Sequence, residues 1–151
     1  MAEKKHVYLL IADDTPEFTI ALRHACKMAK RSKADLAVLY VMEHEDMKIS
    51  GNIQKLIHNE LVEKAESVLA SAAQDVQKHL GMTPETHLEE GGRYDVITDF
   101  IDKNLEVKKL ILGGGIDAKS PGPLVSYFTH KGLDKLRVPL VIVPENINLD
   151  D

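Results

Sequence analysis

The sequence predicts a single α/β domain, residues 1–151, built on an open, doubly wound parallel sheet of five strands. Short apolar runs rich in β-forming residues alternate with longer stretches of helical periodicity, in the order β-α-β-α-β-α-β-α-β. The length of 151 residues and the hydrophobic content of 44% suit one domain with a substantial core. Right-handed crossovers leave few topologies, of which the open doubly wound sheet fits best. We expect the strand order 3-2-1-4-5 with helices on both faces.

The first half of the chain is predicted to hold two strands and two helices. Residues 6–12 form a continuous apolar run, as expected of a strand in a parallel sheet. A helix is expected over residues 15–31, followed by a second apolar strand over residues 36–42. Apolar residues then recur every three or four positions through residues 52–80, which predicts a long helix that Gly81 ends.

The second half continues the alternation with shorter elements. Residues 86–90 predict a short, weak strand, and residues 94–104 predict a short helix. A strongly apolar run at residues 109–112 predicts the fourth strand. A helix is expected over residues 124–136, and the apolar residues 140–143 predict the last strand.

Composition disfavours several functions. The chain has 24 acidic and 19 basic residues and a net charge of −5, which argues against a nucleic-acid-binding protein with a basic face. No apolar run approaches the ~18 residues of a membrane span, and we expect no targeting segment before the first strand. Cys26 is the only cysteine, so no internal disulfide forms and a reducing cytoplasm is the expected compartment.

Motifs of several enzyme classes are absent from the sequence. No Gly-x-Gly-x-x-Gly fingerprint follows the first strand and no Gly-x-Ser-x-Gly elbow is present, which disfavours a dehydrogenase and an α/β-hydrolase. Cys26 has no histidine at a suggestive spacing, and His44 has no second histidine one helical turn away. We therefore predict neither a catalytic thiol nor a metal site. Nucleotide hydrolysis is the one activity considered, and no general base with a clear partner supports it, so enzymatic activity stays open.

The strand ends carry the most informative pattern, because ligands of doubly wound folds bind beyond the carboxyl ends of the strands. The segments in question are IADD at 11–14, KLILG at 109–113 and VPLVIV at 138–143. With them the sequence resembles the universal stress protein family over nearly its whole length. The resemblance implies the adenine nucleotide alpha hydrolase-like fold and a dimer. Many members of that family bind ATP, and others bind no nucleotide.

The ATP-binding members of that family carry a spaced motif after the fourth strand: Gly, two residues, Gly, nine residues, Gly, then Ser or Thr. Glycines at these places let backbone N–H groups approach phosphate oxygens. Counted from Gly113, the other motif positions fall on Ile116, Ser126 and Tyr127. Three of the four positions are therefore substituted.

Two interpretations of this loop remain open. The loop is either a variant phosphate cradle or one that has lost phosphate binding. Prolines at positions 121 and 123 remove two N–H donors from it, although proline also suits the start of a helix. The residues that would line a variant cradle are Gly113, Gly115, Ser120, Gly122 and Ser126.

The resemblance places the nucleoside end of the site at the first two strands. Asp13 would hold the nucleoside and the backbone at Val41 would meet the adenine, with Ala12 beside them. Acidic residues such as Asp14 and Glu43 are expected at the rim, so a polyphosphate would meet negative charge unless Mg²⁺ accompanied it. The candidate cofactors are therefore ATP or AMP, with or without Mg²⁺, or none. A nucleoside or monophosphate site is favoured over a triphosphatase.

Two functions are consistent with these observations. The first is a cytoplasmic homodimer of universal stress type with a stress-response or regulatory role. It would bind an adenine nucleotide weakly or in an altered mode at the carboxyl ends of strands 1, 2 and 4. The alternative is a nucleotide-free homodimer that acts as a protein-interaction module. Neither nucleic acid nor a membrane is expected as a partner.

The expected dimer contact is the last strand, because an apolar strand at a sheet edge has to be covered. Pairing with a two-fold mate is one way to cover it, and the resemblance implies the same region. The chain's own tail over the edge is the other. The contact residues would be Leu140, Val141, Ile142 and Val143.

Overall fold

The computed structural model describes residues 5–43, 51–116 and 121–149. The predicted site residue Ser120 lies outside these ranges. The strands are β1 (Val7–Ile11), β2 (Asp35–Met42), β3 (Glu85–Glu90), β4 (Val107–Gly114) and β5 (Leu140–Pro144). The helices are α1 (Pro16–Ser32), α2 (Gly51–Leu80), α3 (Arg93–Lys103) and α4 (Pro123–Phe128), with a 3-10 turn at Leu133–Lys135.

The five strands form one parallel sheet in the order β3-β2-β1-β4-β5, as the sequence predicts. β1 is the central strand, and Leu9 pairs with Ala37 on one side and with Leu110 on the other. All five residues of β1 are buried, because helices cover both faces of the sheet. Tyr8 and Leu10 pack in the core under α1 and α2, whereas Leu9 packs on the opposite face with α3 and α4.

Helix α1 begins and ends at local signals. Thr15 is its N-cap, and the hydroxyl of Thr15 accepts a hydrogen bond from the amide of Phe18 at 3.4 Å. The chain leaves α1 through Lys33, which has a φ of 55° and donates its N–H to the carbonyl of Ala29. Cys26 lies on the buried face, and burial raises the pKa of its thiol to about 11. The thiol is therefore protonated at neutral pH.

Helix α2 is 30 residues long and packs on the sheet with its carboxyl-terminal half. Its buried residues are Ala65, Leu69, Ala72 and Val76. Gly81 ends the helix, as the sequence predicts. It adopts a φ of 76° and donates its N–H to the carbonyl of Gln77 at 3.0 Å.

The prediction of a helix over residues 124–136 is wrong in extent, since α4 stops at Phe128. The ring of Tyr127 stacks on Tyr94 of α3, with the ring centroids 3.9 Å apart. Gly132 turns the chain back under that ring, and a Cβ atom on Gly132 would lie 2.2 Å from it. The amide of Gly132 donates to the carbonyl of Tyr127 at 2.9 Å, which closes the turn. The beginning of the helix agrees better, because Pro123 occupies its first turn.

Candidate functional site

A cleft lies at the carboxyl edge of the sheet beside β1, where the strand order reverses. It consists of two adjoining cavities of about 140 Å³ and 120 Å³. Both cavities are lined by Ile11, Asp13, Arg93 and Leu124. The chain that leaves β1 therefore runs between the two, with Arg93 facing it from the start of α3.

The smaller cavity brings together the residues predicted for a nucleoside. Ala12, Asp13 and Val41 line it, together with Tyr40 and Ile97. The amide of Ala12 donates to the carbonyl of Leu39 at 2.8 Å, which ties the end of β1 to β2. The lining thus combines apolar residues with one carboxylate, that of Asp13, and one guanidinium, that of Arg93.

The larger cavity lies between the first turn of α1 and the segment that enters α4. Gly113, Pro121 and Gly122 line it on one side, and Thr15 and Glu17 line it on the other. Of the remaining residues predicted for a phosphate cradle, Gly115 and Ser126 do not line this cavity. The amide of Ser126 donates to the carbonyl of Gly122 at 3.0 Å, inside the first turn of α4.

Asp13 organises the turn between β1 and α1. Its Oδ1 accepts hydrogen bonds from the amide of Thr15, at 3.0 Å, and from the hydroxyl of the same residue. Loss of solvation in the cleft raises the pKa of Asp13, and the charge of Glu17 acts in the same direction. The hydrogen bonds from Thr15 and the positive charge of Arg93 oppose this rise in pKa. Asp13 thus stabilises the turn before α1 and also offers a carboxylate oxygen as a hydrogen-bond acceptor to a ligand.

Arg93 is the only cation among the described residues that line the two cavities. Its Nε donates to Oε1 of Glu43, just beyond β2, at 2.7 Å. The guanidinium of Arg93 is therefore held by a carboxylate that directly follows β2. In the sequence Arg93 stands out only because it follows the end of β3.

The segments around α4 and β4 are joined by backbone and carboxylate hydrogen bonds. We call Gly115, Ile116, Pro121 and Gly122 the β4 loop. Within it, the amide of Gly115 donates to the carbonyl of Pro121 at 3.0 Å. The amide of Ile116 donates to Oε1 of Glu145, which follows β5, at 2.9 Å. Both amides are therefore already used by acceptors of the protein itself.

A model of the universal stress protein family matches residues 7–144. The chain belongs to the universal stress protein family. Among solved structures it is similar to universal stress protein UspA from Lactobacillus plantarum, with 19% identity and a TM-score of 0.73. That match covers 95% of this chain and 99% of the other. Comparison with curated proteins finds no match.

Two further universal stress proteins of this fold have been solved with nucleotides. One, from Archaeoglobus fulgidus, is in complex with dAMP; it is 17% identical with a TM-score of 0.63, and the match covers 92% of this chain and 97% of that one. The other, from Arabidopsis thaliana, has AMP bound; it is 13% identical with a TM-score of 0.59, and the match covers 92% of each chain. At these identities the comparisons show a shared fold.

Each position of the family's ATP motif has a structural partner in this universal stress protein. Gly113 packs against the backbone of Glu17, and the amide of Ile116 binds Glu145. Ser126 lies within α4, and Tyr127 stacks on Tyr94. The sequence did not single out Glu17 and Glu145 as site residues. Their position was the available signal, because Glu145 directly follows β5 and Glu17 lies in the first turn of α1, just after β1.

Within residues 5–43, 51–116 and 121–149, no three His, Cys, Asp or Glu side chains are grouped so that they could hold a metal ion. In the same part of the universal stress protein, no helix is long and apolar enough to cross a membrane.

Proposed function

We propose that this universal stress protein binds an adenine nucleoside or nucleotide, weakly or in an altered mode, in the cleft at the carboxyl ends of β1, β2 and β4. The observation that carries the proposal is that Asp13 lines two adjoining cavities, one at Val41 and the other at Gly113 and Gly122. The family members solved with dAMP and AMP support it, because they share the fold.

Each part of the cleft suits one part of such a ligand. Val41 and Ile97 offer apolar side chains of the kind that accept a purine. Asp13 offers carboxylate oxygens to ribose hydroxyls, which are hydrogen-bond donors. Each of the two cavities is smaller than the ~300–1,000 Å³ usual for ligand pockets. Binding would therefore be weak, or would require the cleft to open.

The proposed biological unit is a cytoplasmic homodimer with a stress-response or regulatory role. Among the described residues β5 is an edge strand, and Ile142 on it is 37% exposed. Val143 is buried in the protein's own core, so the contact would use the strand's backbone edge and Ile142. Ile147 of the tail packs partly on the same core. The single cysteine, Cys26, is free and buried, as expected for a protein of a reducing compartment.

A second candidate function is a nucleotide-free interaction module. The hydrogen bond between the amide of Ile116 and the carboxylate of Glu145 favours it, because that donor is already satisfied. The two candidates differ in whether any adenine compound binds in the cleft.

Thermal unfolding with and without millimolar adenosine, AMP, ADP and ATP, each with Mg²⁺ or EDTA, tests the proposal. A ligand at 100 times its Kd adds about 2.7 kcal/mol to the free energy of unfolding. For a domain of this size that raises Tm by several degrees, at about 2–4 °C per kcal/mol. A rise in Tm that Val41→Trp abolishes would support binding in the cleft. No rise with any of the four compounds would favour the interaction module.

A further inference from the structure

The loop after β4 is clamped by Glu145 through its backbone and its side chain. The amide of Glu145 donates to the carbonyl of Gly114 at 3.0 Å, and Oε1 of Glu145 accepts from the amide of Ile116 at 2.9 Å. A hydrogen bond to a carboxylate is stronger than one between neutral groups. An incoming phosphate would have to displace this carboxylate to reach the amide of Ile116.

A second carboxylate, that of Glu17, covers the neighbouring glycine of the loop. Oε1 of Glu17 is 2.8 Å from the position that a Cβ atom on Gly115 would take. The amide of Gly115 meanwhile donates to the carbonyl of Pro121 at 3.0 Å. An ionised carboxylate can only accept hydrogen bonds, so Glu17 offers a phosphate oxygen no donor and a like charge.

The charge balance of the larger cavity adds to this effect. Asp13 and Glu17 line the cavity, and Arg93 is the only cation among its described lining residues. The guanidinium already binds Glu43 at 2.7 Å, so a phosphate would compete for it. Like charges repel more strongly in a cleft than in bulk water, because the local dielectric constant is lower.

From these contacts we infer that Glu145 and Glu17 are specificity-determining residues, which make the cleft select an uncharged adenine nucleoside over a nucleoside triphosphate. The carboxylate of Glu145 accepts from the amide of Ile116, which a phosphate at the β4 loop would otherwise meet. Glu17 lines the larger cavity itself. The inference rests on the proposed function, since it names the ligand class of the same cleft. The base and sugar would occupy the smaller cavity at Val41, and the larger cavity at Gly113 would disfavour anions.

Affinities of the full-length protein for adenosine, AMP and ATP, measured by calorimetry in EDTA at one ionic strength, test the inference. The variants are Glu145→Gln, Glu17→Gln and the double variant. Glutamine keeps a side-chain oxygen for the amide of Ile116 and removes the charge. Glu66→Gln is the matched control, because Glu66 is an exposed residue of α2 and the change in net charge is the same. Circular dichroism melting checks that each variant folds.

The wild type is expected to bind adenosine more tightly than AMP, and AMP more tightly than ATP. Each cleft variant, at Glu145 or Glu17, is expected to bind ATP about tenfold more tightly, because like charges in contact weaken binding. The affinity for adenosine is expected to stay unchanged. Glu66→Gln is expected to leave all three affinities unchanged.

Two results would overturn the inference, and they are distinguishable. If adenosine binds but the ratio of ATP to adenosine affinity is the same in the wild type and in the cleft variants, the selectivity assigned to Glu145 and Glu17 is wrong. The proposed function then stands. If neither adenosine nor ATP binds to the wild type or to any variant, the proposed function fails and the inference fails with it.

Discussion

Gly113 lies directly against the backbone of Glu17: a Cβ atom on Gly113 would be 2.6 Å from the carbonyl oxygen of Glu17. The first turn of α1 therefore rests on the end of β4 at a distance that only glycine permits. Gly113 is also the one position of the family's ATP motif that this chain retains. Packing alone accounts for a glycine at this position, whether or not a phosphate binds there.

Gly113→Ala is expected to lower the free energy of unfolding by about 1–3 kcal/mol, because the backbone of α1 must shift to make room. Urea denaturation measures the change. Gly51→Ala is the control, since a Cβ atom on Gly51 would meet nothing within 4 Å. Equal stability of the two variants would contradict the packing role of Gly113.

Asp13→Ala and Asp13→Asn are expected to differ in stability. Alanine removes the acceptor that Thr15 uses and is expected to cost about 1 kcal/mol. Asparagine keeps an oxygen for Thr15 and removes a charge that the cleft disfavours. Both variants are expected to weaken the binding of adenosine. Calorimetry would measure that loss of affinity, and chemical denaturation would measure the separate effect on folding.

The pH dependence of the Asp13→Asn effect follows from the raised pKa of Asp13. The folded protein holds the proton more tightly than the unfolded chain, in which the aspartate has its ordinary pKa of 3.8. The stabilisation that protonated Asp13 contributes is therefore fully present below pH 3.8, and it is lost as the pH rises through the raised pKa of the folded protein. The Asp13→Asn variant should therefore have a higher free energy of unfolding than the wild type at pH 7. Denaturation curves should show no difference between the two proteins at about pH 3. A difference that does not change with pH would show that charge is not its cause.

Cys26 is expected to resist alkylation in the native protein. Its side chain is buried at 3% exposure, and burial raises the thiol pKa to about 11. Iodoacetamide at mildly alkaline pH should leave the folded protein unmodified by mass spectrometry, while the protein in urea gains one adduct. Rapid modification of the native protein would mean that the α1 face opens readily.

Ile142→Lys is expected to dissociate the proposed homodimer, because it places a charge on the exposed face of the edge strand. Sedimentation velocity of the wild type and the variant at micromolar concentration measures the effect. Leu105→Lys is the matched control, since Leu105 is 65% exposed and lies in the turn before β4, outside the edge strand β5. A wild type that sediments as a monomer would refute a dimer through β5.

The order and nature of the elements could be predicted because their signals are local. The uninterrupted apolar run of β1 indicated a strand of a parallel sheet, and all residues of β1 are buried. The long periodic stretch ending at Gly81 indicated α2, and Gly81 does end it. The fourth helix was misjudged because its apolar spacing continues past Phe128, whereas the contact between Gly132 and the ring of Tyr127 turns the chain. That ring is held by Tyr94, which is distant in sequence.

The amino-acid sequence by itself determined the fold class, the strand order and the place of the cleft. Periodicity sets which residues are buried, and handed crossovers restrict how parallel strands connect. Only the tertiary structure decided what meets the β4 loop. Ile116 and Glu145 are 29 positions apart and come into contact because β4 and β5 are neighbours in the sheet. No local pattern records such a contact, because a hydrogen bond between strand ends depends on the register of the whole sheet.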